Sequence, residues 1–153
     1  MRNLFLGDDE DCFYEPRKGW KVVHACREPC FAHAEAIFGC AEGHGTIEAG
    51  GHLYLDLLDT VETYDDRHAR PLLSRALDFI EGNVLENKVL VHCNVCVSRS
   101  PSIVLLYLAK RAGRVSNASF EAAAREFSDI YYPYYFPSRG IETYLRRFWK
   151  SIS

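Results

Sequence analysis

Two apolar blocks lie close together in the chain, Val89-Leu90-Val91 and Ile103 to Ala109, separated by the polar stretch from His92 to Ser102. The first reads as a buried strand, and the second carries no polar stripe along its length, so it reads as a helix buried on most sides. A strand and a helix that both demand burial, joined by one loop, fit a layered α/β fold. Pro101 suits the first turn of that helix, and Lys110-Arg111-Ala112-Gly113 supplies the basic residues and glycine that favour its end. Elsewhere the pattern predicts strands at Leu4 to Leu6, Lys21 to Ala25 and His52 to Leu58, with a loop over Glu42 to Gly51. It predicts helices over Phe31 to Phe38, from Pro71 to Leu85, from Ser119 to Ile130 and from Ile141 to Trp149, with an aromatic loop from Tyr131 to Pro137. The expected architecture is a central, mainly parallel sheet flanked by helices. A chain of 153 residues fits one domain spanning 1–153.

Composition narrows the function. A net charge of -3 argues against a broad nucleic-acid surface, so any recognition of anions has to be local. No apolar run is long enough to cross a bilayer, and the N-terminus, with Asp8, Asp9, Glu10 and Asp11, lacks the pattern of a secretory signal. These features lead to the expectation of a soluble cytoplasmic protein with reduced thiols at Cys12, Cys26, Cys30, Cys40, Cys93 and Cys96.

The loop between the two apolar blocks carries chemistry. It reads His92-Cys93-Asn94-Val95-Cys96-Val97-Ser98-Arg99-Ser100. A loop that opens onto a helix N-terminus favours an anionic cysteine and turns backbone N–H groups toward an anion. From Cys93 to Arg99 the chain is long enough to curl around a tetrahedral phosphoryl group as a nest, with the Arg99 fork gripping two oxygens. Ser100 can donate to the Cys93 sulfur, while His92 reads as a donor that orders the loop.

On these residues the sequence resembles the cysteine-based protein tyrosine phosphatases and, by its small size, their dual-specificity branch. The match covers His-Cys-x5-Arg-Ser with its flanking strand and helix, and extends loosely from Leu53 to Trp149. The resemblance implies metal-free, cofactor-free hydrolysis of phosphorylated protein or peptide substrates. Cys93 attacks phosphorus, Arg99 steadies the transition state, and an aspartic acid after an earlier strand protonates the leaving oxygen. Asp59 is the expected acid, with Asp56, Asp65 and Asp66 as the other candidates. The family carries glycine where this chain has Cys96. That difference leaves open a weakened enzyme, a phosphate-binding pseudophosphatase, or a redox device, and Cys93-x-x-Cys96 is also the spacing of thiol-disulfide oxidoreductases.

Three further groupings are less specific. His24, Cys26, Cys30 and His33, with Cys40 and His44 beyond, invite a zinc site but match no common ligand spacing, so no metal is expected. Arg67, His68 and Arg70 form a small basic cluster that reads chiefly as a solvated face. The aromatic residues Tyr131, Tyr132, Tyr134, Tyr135 and Phe136 read as loop packing ahead of substrate contact.

Overall fold

The computed structural model describes residues 1–39, 45–131 and 134–153. Five strands, β1 (Leu4–Gly7), β2 (Trp20–His24), β3 (Thr46–Ala49), β4 (His52–Leu55) and β5 (Lys88–His92), form one sheet in the order β1-β5-β2-β4-β3. All pairings are parallel except β3 with β4, which matches the mainly parallel sheet expected from the sequence. Strand β5 lies between β1 and β2, so both of its edges are hydrogen-bonded and both of its faces are covered. Its Val-Leu-Val run answers to that position.

The helices are α1 (Ala32–Phe38), α2 (Asp66–Asn83), α3 (Arg99–Lys110), α4 (Phe120–Ile130) and α5 (Arg139–Phe148). A π-helical turn, Arg27–Phe31, precedes α1. Val23, Leu53, Leu55, Val89 and Val91 point to the face where Leu72, Leu73, Leu77, Ile103, Leu105, Leu106 and Tyr144 complete the main core. Because α3 lies against the sheet with other helices packed around it, every residue from Arg99 to Ala109 is buried. The opposite face holds a smaller cluster of Cys26, Cys30, Phe31, Ala34, Ile47 and Tyr54, closed over by Cys12 and Tyr14 from the segment after β1.

Three elements differ from the sequence expectation. The glycine-rich stretch read as a loop contains β3, which turns into β4 through Gly50 and Gly51, both at positive φ, as a tight hairpin requires. The strand expected from His52 to Leu58 stops at Leu55, because the Leu57 carbonyl turns away to accept from the Arg27 N–H (2.9 Å) and the Arg99 guanidinium (3.0 Å). Helix α2 begins at Asp66 rather than at Pro71. Asp65 caps it by accepting from the Arg67 N–H at 2.9 Å, and Tyr144 donates to Asp66 at 2.6 Å, so Pro71 sits inside the helix.

The start of α5 fixes the segment between β4 and α2. The Gly140 N–H donates to the Thr60 carbonyl at 2.9 Å, and a Cβ at Gly140 would collide with the carbonyl oxygens of Thr60 and Glu62. Gly140→Ala is expected to displace residues 59–64 while leaving the sheet intact. Hydrogen exchange would then be faster at the Tyr64 amide, which donates to the Gly140 carbonyl, and unchanged in β5.

Candidate active site

Cys93 follows directly on the carboxyl end of β5, in the crevice where parallel α/β sheets commonly bind ligands. The residues of its loop are brought together much as the sequence suggests. The Ser100 hydroxyl lies 3.1 Å from the Cys93 sulfur and 3.5 Å from that of Cys96. The N–H groups of Asn94 to Ser98 donate to no protein acceptor among the described residues, and Ser98 precedes the first turn of α3 without capping it by its side chain. These donors and the helix N-terminus are therefore left for an anion.

Arg99 is only 5% exposed. Its Nη1 donates to the Leu57 carbonyl at 3.0 Å and its Nη2 to Asn94 Oδ1 at 2.5 Å, while Nε is buried without a partner. Asn94 is itself held, since its Nδ2 donates to the Glu28 carbonyl at 2.9 Å. A buried guanidinium fixed at two corners with one N–H unsatisfied calls for an acceptor of opposite charge.

Cys96 has φ of +57°, the left-handed conformation that glycine adopts freely. It is the only non-glycine residue with positive φ among the described residues. The strain of about 1 to 2 kcal/mol is opposed by contacts that hold the loop. Tyr131 donates its hydroxyl to the Cys96 carbonyl at 2.9 Å and lies 3.2 Å from the Cys96 sulfur. Burial pushes the Cys96 thiol up, against its hydrogen bonds with Tyr131 and Ser100, which favours the neutral side chain. The segment after α4 straps the loop further. The Phe136 N–H donates to the Val97 carbonyl at 2.8 Å and the Ser138 N–H to Ser98 Oγ at 2.8 Å. Val95 and Phe136 are exposed at this rim.

Of the four aspartates, Asp56 is ion-paired with Arg27, Asp65 caps α2, and Asp66 is held by Tyr144 and Arg70. Asp59 is exposed and, among the described residues, has no side-chain partner. Tyr64 was not legible as a site residue in the sequence. Its hydroxyl donates to the Leu58 carbonyl, and its pKa is pushed well up by burial, opposed by the Arg99 charge and reinforced by Asp59 and Cys93. Tyr64 thus stands within electrostatic reach of all three.

The other groupings divide. Arg70 is tied to Asp66 and to the Ser151 carbonyl, and His68 lies 2.9 Å from the Asp56 carbonyl oxygen, so two of the three basic residues have structural partners. Tyr135 is half-buried, with its hydroxyl 2.9 Å from Ser102 Oγ, whereas Tyr134 and Phe136 are exposed. Tyr132 lies outside the described residues, as do Cys40 and His44. Of the remaining residues suspected of binding zinc, His24 and Cys30 converge, and Cys26 and His33 do not join them. Their neighbours are Cys12 and His92.

His92 lies beneath the loop. Its Nδ1 lies 3.4 Å from the Cys93 carbonyl oxygen and its Nε2 2.6 Å from His24 Nδ1. His24 is held neutral, its pKa pushed down to about 2 by burial and by the His92 and His52 imidazoles.

No protein-family model and no curated protein sequence matches the chain. Solved structures do. The human tyrosine phosphatase-like serine/threonine/tyrosine-interacting protein superposes with a TM-score of 0.62 at 21% identity, covering 97% of this chain and 91% of that one. The phosphatase domain of Yvh1 from Chaetomium thermophilum gives 0.63 at 20% identity, covering 97% and 91%. The PTP-2 phosphatase of Cydia pomonella gives 0.55 at 19% identity, covering 83% and 70%. With the strand order, the loop after β5 and these likenesses together, the chain has the fold of the protein tyrosine phosphatases.

Proposed function

We propose that the chain is a cysteine-dependent phosphatase of phosphorylated proteins, acting on phosphotyrosine and on phosphoserine or phosphothreonine through a phosphocysteine intermediate. The observation that carries this reading is Arg99, a buried guanidinium pinned through both Nη atoms, whose Nε has no partner beside a loop of free N–H groups. Three phosphoryl oxygens would satisfy those donors together. An exchange site for disulfides has no use for them.

In the proposed reaction the Cys93 thiolate attacks phosphorus, an S–P bond forms and the bond to the substrate oxygen breaks. Asp59 donates its proton to that leaving oxygen. In the second half the Asp59 carboxylate takes a proton from water, whose oxygen bonds to phosphorus as the S–P bond breaks, and Ser100 donates to the returning thiolate. Arg99 and the loop N–H groups hold the equatorial oxygens in both halves. Val95 and Phe136 form an apolar rim that suits a phenyl ring, and the uncharged side chains of Asn94, Val95 and Val97 fit phosphoprotein ahead of polyphosphorylated ligands.

Hydrolysis of an aryl phosphate under reducing conditions, with vanadate as inhibitor and insulin reduction as control, tests the reading. Cys93→Ser is expected to abolish turnover and to retain vanadate or phosphate binding; turnover in that variant would refute the assignment. Asp59→Asn is expected to slow hydrolysis about a hundredfold with poor leaving groups and far less with good ones. The same signature in Asp65→Asn or Asp66→Asn would move the acid. A wild-type chain that binds vanadate without turnover is a phosphate-binding module instead.

Because the loop already holds the left-handed conformation at residue 96, Cys96→Gly removes strain and a bulky side chain without changing the backbone path. Its turnover is expected to rise a few-fold over wild type, read from kcat with the same aryl phosphate. Unchanged kcat would mean that Cys96 does not impede the chemistry.

A further inference from the structure

On the sheet face opposite the main core, four metal-ligating side chains converge that the proposed reaction does not use: Cys12, His24, Cys30 and His92. Their donor atoms all lie within 4.8 Å of one another. His24 is the last residue of β2 and His92 the last of β5, and the two are register partners in the parallel ladder, so their rings project side by side from one face. Cys12 comes from the segment after β1, and Cys30 from the π-helical turn after β2. The topology thus delivers four ligands from three strand ends to one point, although they are spread over most of the sequence.

The hydrogen-bond chain fixes the tautomers of His52 and His24. His52 Nε2 lies 3.2 Å from the Glu15 carbonyl oxygen, which can only accept, so His52 Nε2 carries the proton and its Nδ1 is a lone pair. That lone pair faces His24 Nε2 at 2.9 Å, so His24 carries its proton on Nε2 and turns a bare Nδ1 inward. His92 Nε2 lies 2.6 Å from that bare nitrogen and donates to it in the metal-free chain, while His92 Nδ1 lies 3.4 Å from the Cys93 carbonyl oxygen. The Cys12 sulfur lies 3.5 Å from His24 Nδ1 and the Cys30 sulfur 3.9 Å from His92 Nε2. The two sulfurs are 3.9 Å apart. A cation placed among them takes the place of the proton shared by the two imidazoles; His24 already donates its other N–H to His52, and His92 Nδ1 has the Cys93 carbonyl oxygen within reach, as ligating imidazoles require.

The spacing fits zinc. Bonds of about 2.3 Å to sulfur and about 2.0 Å to nitrogen set tetrahedral edges of about 3.8 Å between sulfurs, about 3.5 Å between sulfur and nitrogen and about 3.3 Å between nitrogens. The three sulfur edges given above lie within about half an ångström of these values, and the two nitrogens must part by about 0.7 Å. Two thiolates neutralise a divalent cation, which suits a site where three of the four ligands are buried. Four protein ligands leave no open position, so the site is structural.

We propose that Cys12, His24, Cys30 and His92 bind one Zn2+ as a tetrahedral Cys2His2 site that clamps the carboxyl ends of β1, β2 and β5 beneath the phosphate loop. Binding releases the two thiol protons, and Tyr14 donates its hydroxyl to the Cys30 sulfur at 3.5 Å, steadying it as thiolate. The proposal does not depend on turnover by Cys93.

The test uses the full chain, expressed with added zinc and purified under reducing conditions without chelator, with metal measured by mass spectrometry. One zinc per chain is expected, falling to a small fraction in Cys12→Ser, a half-buried position where the fold is retained by circular dichroism. His33→Ala, exposed and outside the donor set, is expected to keep its zinc. Cobalt(II) added to the metal-free chain is expected to give tetrahedral ligand-field bands with thiolate charge transfer, saturating at one equivalent and absent in Cys12→Ser. A folded wild-type chain without zinc or these bands would overturn the proposal. So would equal zinc content in wild type and Cys12→Ser, or a Cys12–Cys30 disulfide in place of metal.

Discussion

A guanidinium removed from water has to be satisfied from every side, and the arrangement around the candidate site follows from that demand at Arg99. One corner draws the Leu57 carbonyl, which ends β4 and bends the chain toward the segment bearing Asp59. A second corner holds Asn94, whose amide reaches back to the Glu28 carbonyl and ties the loop to the turn after β2. The remaining N–H is left to whatever the loop binds. Removing such a charge's partners costs several kcal/mol, so the loop, the exit from β4 and the turn after β2 are kept in place by the same group that would grip the substrate.

The two faces of the sheet do different work. The main face is apolar and deep, and α3 is seated there so firmly that its first turn cannot drift from the end of β5. The minor face carries His24, His52 and His92, which are almost completely buried at 0%, 1% and 0% exposure. Aromatic stacking of His24 on Tyr54, at 4.3 Å between centroids, and of Tyr14 over His24 covers them. A polar, aromatic layer under the loop after β5 is a different solution to burial from the aliphatic one on the other side, and it depends on partners for every ring nitrogen.

The central strand, the loop and the long buried helix were legible because each has a local signal: an apolar run, a motif of fixed spacing, and a helix with no polar stripe. Asp59 was legible only as one of several acids, and what separates it from Asp65 and Asp66 is capping and Tyr144, neither visible before α2 is known to start at Asp66. The hairpin at Gly50-Gly51 was hidden because glycines signal both loops and tight turns. Tyr64, the contact of Tyr131 with Cys96 and the Cys12–His92 grouping were out of reach of sequence spacing, since the partners lie at separations that only the fold brings together.

Cys96 shows who dictates the shape of the loop. A residue that disfavours positive φ still adopts it, which means that the flanking strand, the first turn of α3 and the Tyr131 strap impose the path and the local residue submits. Position 96 is therefore decoupled from the backbone it belongs to. An exchange of side chain there alters what faces Tyr131 and Ser100. The fold thus offers one position at which the lining of the anion cradle can diversify while its outline is inherited.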